Sequence, residues 1–516
     1  MMETREQLFR LIKSLSKNEK RYFKVFAQKN DNDETKTQFN YVMLFDAIDG
    51  QKSFDDDKLK VMVKSKLKIT HLPVLKNQLF ELILKSLTEY HRKKSIDFKI
   101  NDMIGFVKLL QQKGLFKQAV KYLTKAFDIA TQHEKMTRML EILEIEKEMI
   151  VDMRMGDIKH GLDKIMDQEK LIVEKLSNKS MFMSLFFESQ KVLKNEKYIR
   201  SDDKMGVLKK LLQNDLMKDS SSAKTLYSLN SFYELHSIYL WIINETEDAY
   251  KTKRKQVSIW EQNEWMINEY KKNYIILIPD FLYIAYHAGK LKELPIYINI
   301  LKNVETYDVE LKQKIFTETS VFSLIYYQQI IDYTTCLELL KNIKTELPLY
   351  EKSLNIEDSC RIFISSSLIA YGGEDYKQAV FWINKIINMR EVEMREDAHC
   401  FARIFNLIIH LKLDDGFYLQ YAINSTYRFL NKREKLFTVE KAILKFMKNY
   451  ITLDDDKKIN SAYIKFKKDL LKIQEDPFEK KFFKIFDFIT WVESKIENIH
   501  YKDLLKLKKQ KAAQAD

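Results

Sequence analysis

Glycine and proline are nearly missing from this chain: 10 and 5 among 516 residues. Ordinary usage would place about 36 Gly and about 26 Pro in this length. Strand hairpins draw heavily on such residues for their turns. A chain so poor in them reads as helix packed on helix. Hydrophobic residues make up 45% and charged residues 31%, the balance of a folded protein with a solvated surface. A length of 516 is too great for one compact core. Several domains or an extended repeat array are expected.

Two stretches far apart carry nearly the same phrase. GLFKQAVKYLTKAFDIA spans residues 114–130, and GEDYKQAVFWINKIINM spans 373–389. Each has a turn residue (Gly114, Gly373), an aromatic (Phe116, Tyr376), a small residue (Ala119, Ala379) and then an apolar helical face. Gly is expected to close one helix through positive φ. The small residue lets the next helix approach closely. Taking that residue as a ruler gives Ala119, Gly161, Gly206, Ala249, Leu294, Cys336, Ala379 and Ala422, at intervals of 42, 45, 43, 45, 42, 43 and 43. Such a step leaves room for two helices and two short connections. One hairpin of this kind cannot bury its apolar face alone, so neighbours must stack.

The corner Gly114-Leu115-Phe116-Lys117-Gln118-Ala119, with Tyr122 and Ala126 after it, resembles the inter-helix corner of a tetratricopeptide repeat, and Gly373, Tyr376 and Ala379 resemble it too. The step is longer than the 34 residues of that family. The resemblance implies an all-α, right-handed superhelix whose concave face binds peptides or proteins. It brings no catalytic residue.

The organisation expected is an N-terminal helical cap over residues 1–95, tandem helix pairs over 96–450, and capping helices with a frayed tail over 451–516. In the cap, Ser16 and Glu19 form an S-x-x-E box that starts a helix. Near the C-terminus, FEKKFFKIFDFITWVESKI reads as one amphipathic helix burying Phe482, Phe483, Phe486, Phe488, Ile489 and Trp491. The tail LLKLKKQKAAQAD loses its apolar pattern.

Net charge is +13, yet 74 acidic residues are interspersed with 87 basic ones, which dilutes the surplus. Three widely spaced cysteines, Cys336, Cys360 and Cys400, make neither a disulfide framework nor a zinc knuckle. No apolar run approaches the ~18 residues of a membrane span, and the start is not a secretory signal. A cytoplasmic protein is expected.

Chemistry-bearing motifs are missing. No G-x-x-x-x-G-K-[ST], G-x-G-x-x-G or G-x-S-x-G occurs, and no His pair has metal-ligand helical spacing. His399, Cys400 and His410 share one repeat without that spacing. The runs Asp55–Asp57 and Asp454–Asp456 each precede a lysine-bearing helix, where acids serve as caps. No enzyme activity, cofactor or metal is expected. Aromatics at 12% are high; helical spacing places Phe23, Phe26, Phe45, Phe80, Phe363 and Phe381 in the core, and a surplus is available for the groove. Tyr283, Tyr286, Tyr326, Tyr327 and Tyr371 fall toward the ends of first helices in three consecutive repeats; core packing is the leading reading of them, and they are the candidates for lining the groove. The expected function is a non-catalytic scaffold or adaptor that binds a protein or peptide. The alternative is a regulator whose basic N-terminal region contacts nucleic acid through Lys13, Lys17, Arg21, Lys24, Lys64, Lys66, Lys68 and Lys76.

Overall fold

A computed structural model describes residues 2–29, 36–67, 72–92, 95–152, 158–194, 202–306, 308–351, 354–389, 396–413, 416–476, 479–483 and 485–515. Among them every regular element is helical. The chain divides into two compact units: residues 1–288 with 305–309, and residues 289–304 with 310–516. Among the described residues no helix is long and apolar enough to cross a membrane.

The first unit opens with α1 (Met2–Ser14), α2 (Lys17–Lys29), α3 (Lys36–Asp49), α4 (Asp56–Leu67) and α5 (Leu72–Arg92). The capping box closes as its spacing requires. The Ser16 N–H donates to Glu19 Oε2 at 2.7 Å, and the Glu19 N–H donates to Ser16 Oγ at 3.2 Å. Asp55 caps α4 by accepting the Lys58 N–H at 3.0 Å. These five helices enclose an apolar cluster of their own around Ile12, Phe23, Phe45, Leu79 and Ile83. There follow α6 (Ile96–Gln112), α7 (Phe116–Gln132), α8 (Met136–Asp152) and α9 (Ile158–Lys194), with α7, α8 and α9 each packed on the one before. Then come α10 (Asp202–Leu212), α11 (Leu226–Ile242), α12 (Thr246–Gln262), α13 (Glu264–Glu269) and α14 (Lys271–His287). α11 leans on both α9 and α12, and α12 leans on α14.

The second unit holds α15 (Glu293–Lys302), α16 (Val309–Gln329), α17 (Tyr333–Glu346), α18 (Ile356–Gly372), α19 (Tyr376–Ile387), α20 (Glu396–Lys412) and α21 (Gly416–Lys432). It ends with α22 (Thr438–Tyr450), α23 (Asp456–Gln474), α24 (Lys480–Phe483), α25 (Phe488–Ile496) and α26 (Tyr501–Ala515). From α17 to α23 each helix packs on its successor. A single apolar cluster includes Phe316, Trp382, Phe405, Leu444, Phe466 and Trp491, so segments 310–450 and 451–516 share one interior.

The repeated phrase is a repeated backbone structure. Gly114, Asn244, Ile331 and Glu374 all have positive φ, at 71°, 67°, 59° and 66°. In each case the next N–H reaches back to a carbonyl five residues earlier, all at 2.9 Å: Leu115 to Leu110, Glu245 to Leu240, Asp332 to Tyr327, and Asp375 to Ala370. This is the left-handed helix ending that satisfies orphan carbonyls. Five residues beyond each left-handed residue lies a side chain with no exposure: Ala119, Ala249, Cys336 and Ala379. Gly289, at φ 72°, precedes the equally buried Leu294 by the same five. From these anchors the helix faces follow. Ala119, Leu123, Ala126 and Ala130 line the buried side of α7, and Ala379, Trp382, Ile383 and Ile386 that of α19.

Four expectations are corrected. Gly373 is not the left-handed residue of its corner; its φ is −81°, and Glu374 takes that conformation. Gly is needed there for space, because a Cβ on Gly373 would lie 3.1 Å from Leu337, and one on Gly372 would meet the Tyr333 ring. The ruler also fails at Gly206, which lies inside α10 with open space around it. Gly161 faces Ile150 from within the 37-residue α9, which occupies the length of two ordinary helices. The aromatic segment near the C-terminus is two helices, because Asp487 caps α25 afresh by accepting the Thr490 N–H at 2.8 Å. The tail is helical through Ala515, with Leu504 buried and the Lys509 ammonium bonded to Gln329 Oε1 at 2.9 Å.

Candidate protein-interaction surfaces

In the first unit the C-terminal ends of α11 and α14 bring four rings together. Tyr283 lies 5.1 Å from Trp241 and 4.6 Å from His287, and His287 lies 5.1 Å from Trp241 and 5.0 Å from Tyr286. Tyr283 is 45% exposed, and Trp241 and Tyr286 are half-buried. The spacing that places Tyr283, Tyr286 and His287 on one end of α14 is ordinary helical periodicity. Trp241 arrives from another helix and was not in the sequence expectation. Mutual edge-to-face contact holds the rings rigid while their rims stay in solvent.

In the second unit Tyr326 and Tyr327 are half-buried at the end of α16, their ring centres 5.1 Å apart in an edge-to-face arrangement. Tyr327 also packs against the apolar cluster. Tyr371 differs from the other four. It is 3% exposed and ringed by Tyr376, Phe405, Phe486 and Tyr501 at 5.4–5.9 Å. The groove expectation is corrected for Tyr371, because residues from the C-terminal helices cover it. Phe381, expected in the core, is 38% exposed, with the Lys344 ammonium 4.4 Å from its ring centre.

Other aromatic groups stand outside the cores. Phe106 and Tyr122 meet edge to face at 5.6 Å across α6 and α7, beside exposed Leu109. Phe417 and Tyr421, one turn apart on α21, are 97% and 71% exposed.

A small cavity of about 50 Å³ in the first unit was missed from sequence. Trp260, Trp265, Tyr227 and Tyr270 line it, with Glu134 from the α7–α8 corner. Glu134 caps α11, its two carboxylate oxygens accepting the Leu226 N–H at 2.9 and 3.0 Å. Burial pushes its carboxyl above the usual range, more than the Leu226 bond and nearby lysines pull it down. The Lys179 ammonium sits 5.0 Å over the Tyr227 ring. The one signal in the sequence was WEQNEW at 260–265, which holds two of the five Trp. The cavity itself needs six helices and corners to meet.

The N-terminal bases are largely committed to local acids. Lys13 donates to the Asp49 carbonyl at 2.5 Å, Lys24 pairs with Asp46 at 2.7 Å, and Lys76 pairs with Asp56 while lying over the Phe54 ring. Lys17 and Arg21 are exposed, with no ion pair among the described residues. The side chains of Lys64 and Lys66, and Lys68 altogether, lie outside the described residues.

Groups with chemical potential are buried. Burial pushes the Cys336 and Cys400 thiols up to about 12, which removes their nucleophilicity at neutral pH. His399 lies stacked on Phe429, and burial, with Arg403 and Arg433 nearby, pulls it down to about 4. Among the described residues no three His, Cys, Asp or Glu side chains gather as metal ligands. Asp455 accepts the Lys457 N–H at 3.2 Å and acts as a helix cap.

No family model, no curated protein and no solved structure matches this chain.

Proposed function

We propose that this protein is a non-catalytic scaffold or adaptor that binds a protein or peptide. In this reading the helix pairs within each unit stack in the manner of tetratricopeptide repeats, and the partner docks where ring edges reach solvent. The observation that carries the proposal is the cluster of Trp241, Tyr283, Tyr286 and His287, with Tyr283 45% exposed. Tyr and Trp give large contact area with little side-chain entropy to lose, and they dominate binding energetics where they occur in interfaces. The recurrence of one corner supports a repeat array, which offers extended surfaces rather than a single deep site.

The experiment compares the full chain with its Trp241→Ala/Tyr283→Ala double variant in affinity purification from native cells, with nuclease present. Circular dichroism and thermal unfolding check that both chains are folded alike. The reading expects specific proteins retained by the parent and lost, or reduced about tenfold or more, with the variant, since two interface aromatics together contribute ~2–4 kcal/mol. Identical recovery by both chains refutes this surface as the docking site.

The nucleic-acid reading has weaker support. Lys13, Lys24 and Lys76 would have to leave aspartate partners to meet phosphates, which leaves Lys17 and Arg21 as its exposed bases among the described residues.

A further inference from the structure

A second cavity lies wholly within the second unit, and its chemistry is unlike that of the aromatic surfaces. It has a volume of about 130 Å³, where a single water needs roughly 15 Å³ on a comparable measure. Lys412 enters from the last turn of α20 and Lys495 from the last turn of α25. His500 and Asn498 come from the turn between α25 and α26, and the rings of Tyr376 and Tyr501 complete the wall.

The charges do not balance locally. Glu374 is the carboxylate lining this cavity, and it is already engaged by Lys502 at 3.0 Å and by His500 Nδ1. Lys412 and Lys495 line the same cavity. Among the described residues neither has a carboxylate within ion-pairing distance. Two ammonium groups are both donors and cannot satisfy one another. Burial, and then the Lys412 charge, pull Lys495 down to about 8, while Lys412 reaches the cavity from an exposed position at the end of α20. A lysine in the last turn of a helix is ordinarily explained by the helix dipole. That accounts for each lysine alone. It does not account for the two converging on one roomy, polar cavity.

We infer that this cavity binds a phosphate-type oxyanion, clamped between Lys412 and Lys495. A doubly charged oxyanion supplies acceptors to both ammonium groups at once, and Asn498 offers a side-chain amide beside them. The same chemistry is carried by free inorganic phosphate and by a phosphorylated serine.

The test is thermal unfolding of the full chain, with inorganic phosphate, O-phosphoserine and acetate each titrated against sodium chloride of matched ionic strength. The control removes the general stabilisation that excluded salts give any protein. The parent should gain stability with phosphate beyond the chloride control. Lys412→Met and Lys495→Met should each melt no lower than the parent without phosphate, because one of two repelling charges is gone. Each should then lose the phosphate-specific gain. That pairing separates loss of a site from loss of the fold. Equal gains with phosphate and phosphoserine assign the site to the free anion, and a larger gain with phosphoserine assigns it to a phosphorylated chain. Equal gains with acetate, no gain above chloride, or a gain that survives both substitutions overturns the inference.

Discussion

Replacing Glu318 by Gln removes one charge from the most enclosed ion cluster of the second unit while keeping the side chain's shape. Glu318 is 2% exposed. Its two carboxylate oxygens accept from Arg361 Nη1 and Nη2 at 2.8 and 2.9 Å, and Lys314 adds a contact at 2.8 Å. Asp358 stands farther off, 3.7 Å from Arg361 and 3.9 Å from Lys314. Burial alone would raise the Glu318 carboxyl, but Arg361 and Lys314 outweigh it and hold the carboxyl below its ordinary 4.5. Removing one member of a fully buried pair costs about 3–5 kcal/mol, because the other charge is left without a partner. Here the Arg361 and Lys314 side chains are 30% and 35% exposed, so water recovers part of that loss. A cost of ~2–3 kcal/mol follows. For a unit of this size each kcal/mol moves the midpoint by about 2–4 °C, so the variant should melt ~4–12 °C lower.

The assay is thermal and urea unfolding followed by tryptophan fluorescence, with Trp382 and Trp491 as wholly buried reporters in the second unit. A double-mutant cycle with Arg361→Met isolates the pair and should return a coupling of ~2 kcal/mol or more. Acid supplies a second check. Glu318 has a depressed folded pKa, so its contribution is complete above the ordinary carboxylate range and is lost as pH falls through the folded value. The gap between parent and variant should therefore be full at neutral pH and close in acid. A gap unchanged between pH 7 and pH 3, or a coupling under ~0.5 kcal/mol, would refute the assignment of the cluster as net stabilising.

Ala379→Leu should destabilise by ~2 kcal/mol or more in the same urea assay, because the residue has no exposure and its carbonyl accepts the Ser367 hydroxyl at 2.8 Å. Gly114→Ala should cost about 1 kcal/mol from backbone strain alone, since its φ is 71° and a Cβ there meets nothing within 4 Å. Gly372→Ala puts a methyl within 2.6 Å of Tyr333 Cζ and should cost more than Gly114→Ala when midpoints are compared; equal costs would mean that the Tyr333 ring moves away freely. In a gel-shift titration against duplex DNA, the full chain and its Lys17→Glu/Arg21→Glu variant should behave alike at low salt; a shift that the variant loses would revive the nucleic-acid reading.

Much of the local structure was written in short-range pattern. The S-x-x-E of Ser16 and Glu19 closed as a capping box because both partners lie within one helical turn. Ala119, Ala249, Cys336 and Ala379 marked the corners because a close helix approach needs a small side chain at that offset. The left-handed residues were only partly legible. Gly114 announces itself, whereas Asn244, Ile331 and Glu374 hold the same conformation at a cost that the tertiary packing offsets. Gly206 shows the converse, a small residue in helical register that meets nothing.

Helical class, helix periodicity and the recurring corner were therefore determined by the sequence, since each rests on contacts within a few residues. Which aromatic ends face solvent was decided only by tertiary structure. Tyr286 and Tyr371 each stand three residues before the left-handed residue of their corner, yet Tyr286 is half-buried with its rim in solvent and Tyr371 is 3% exposed. The difference is made by Phe486 and Tyr501, more than a hundred residues further along, whose rings close over Tyr371. Burial is a property of the elements that arrive from elsewhere, and a periodic pattern records a helix's own faces without recording what will cover them.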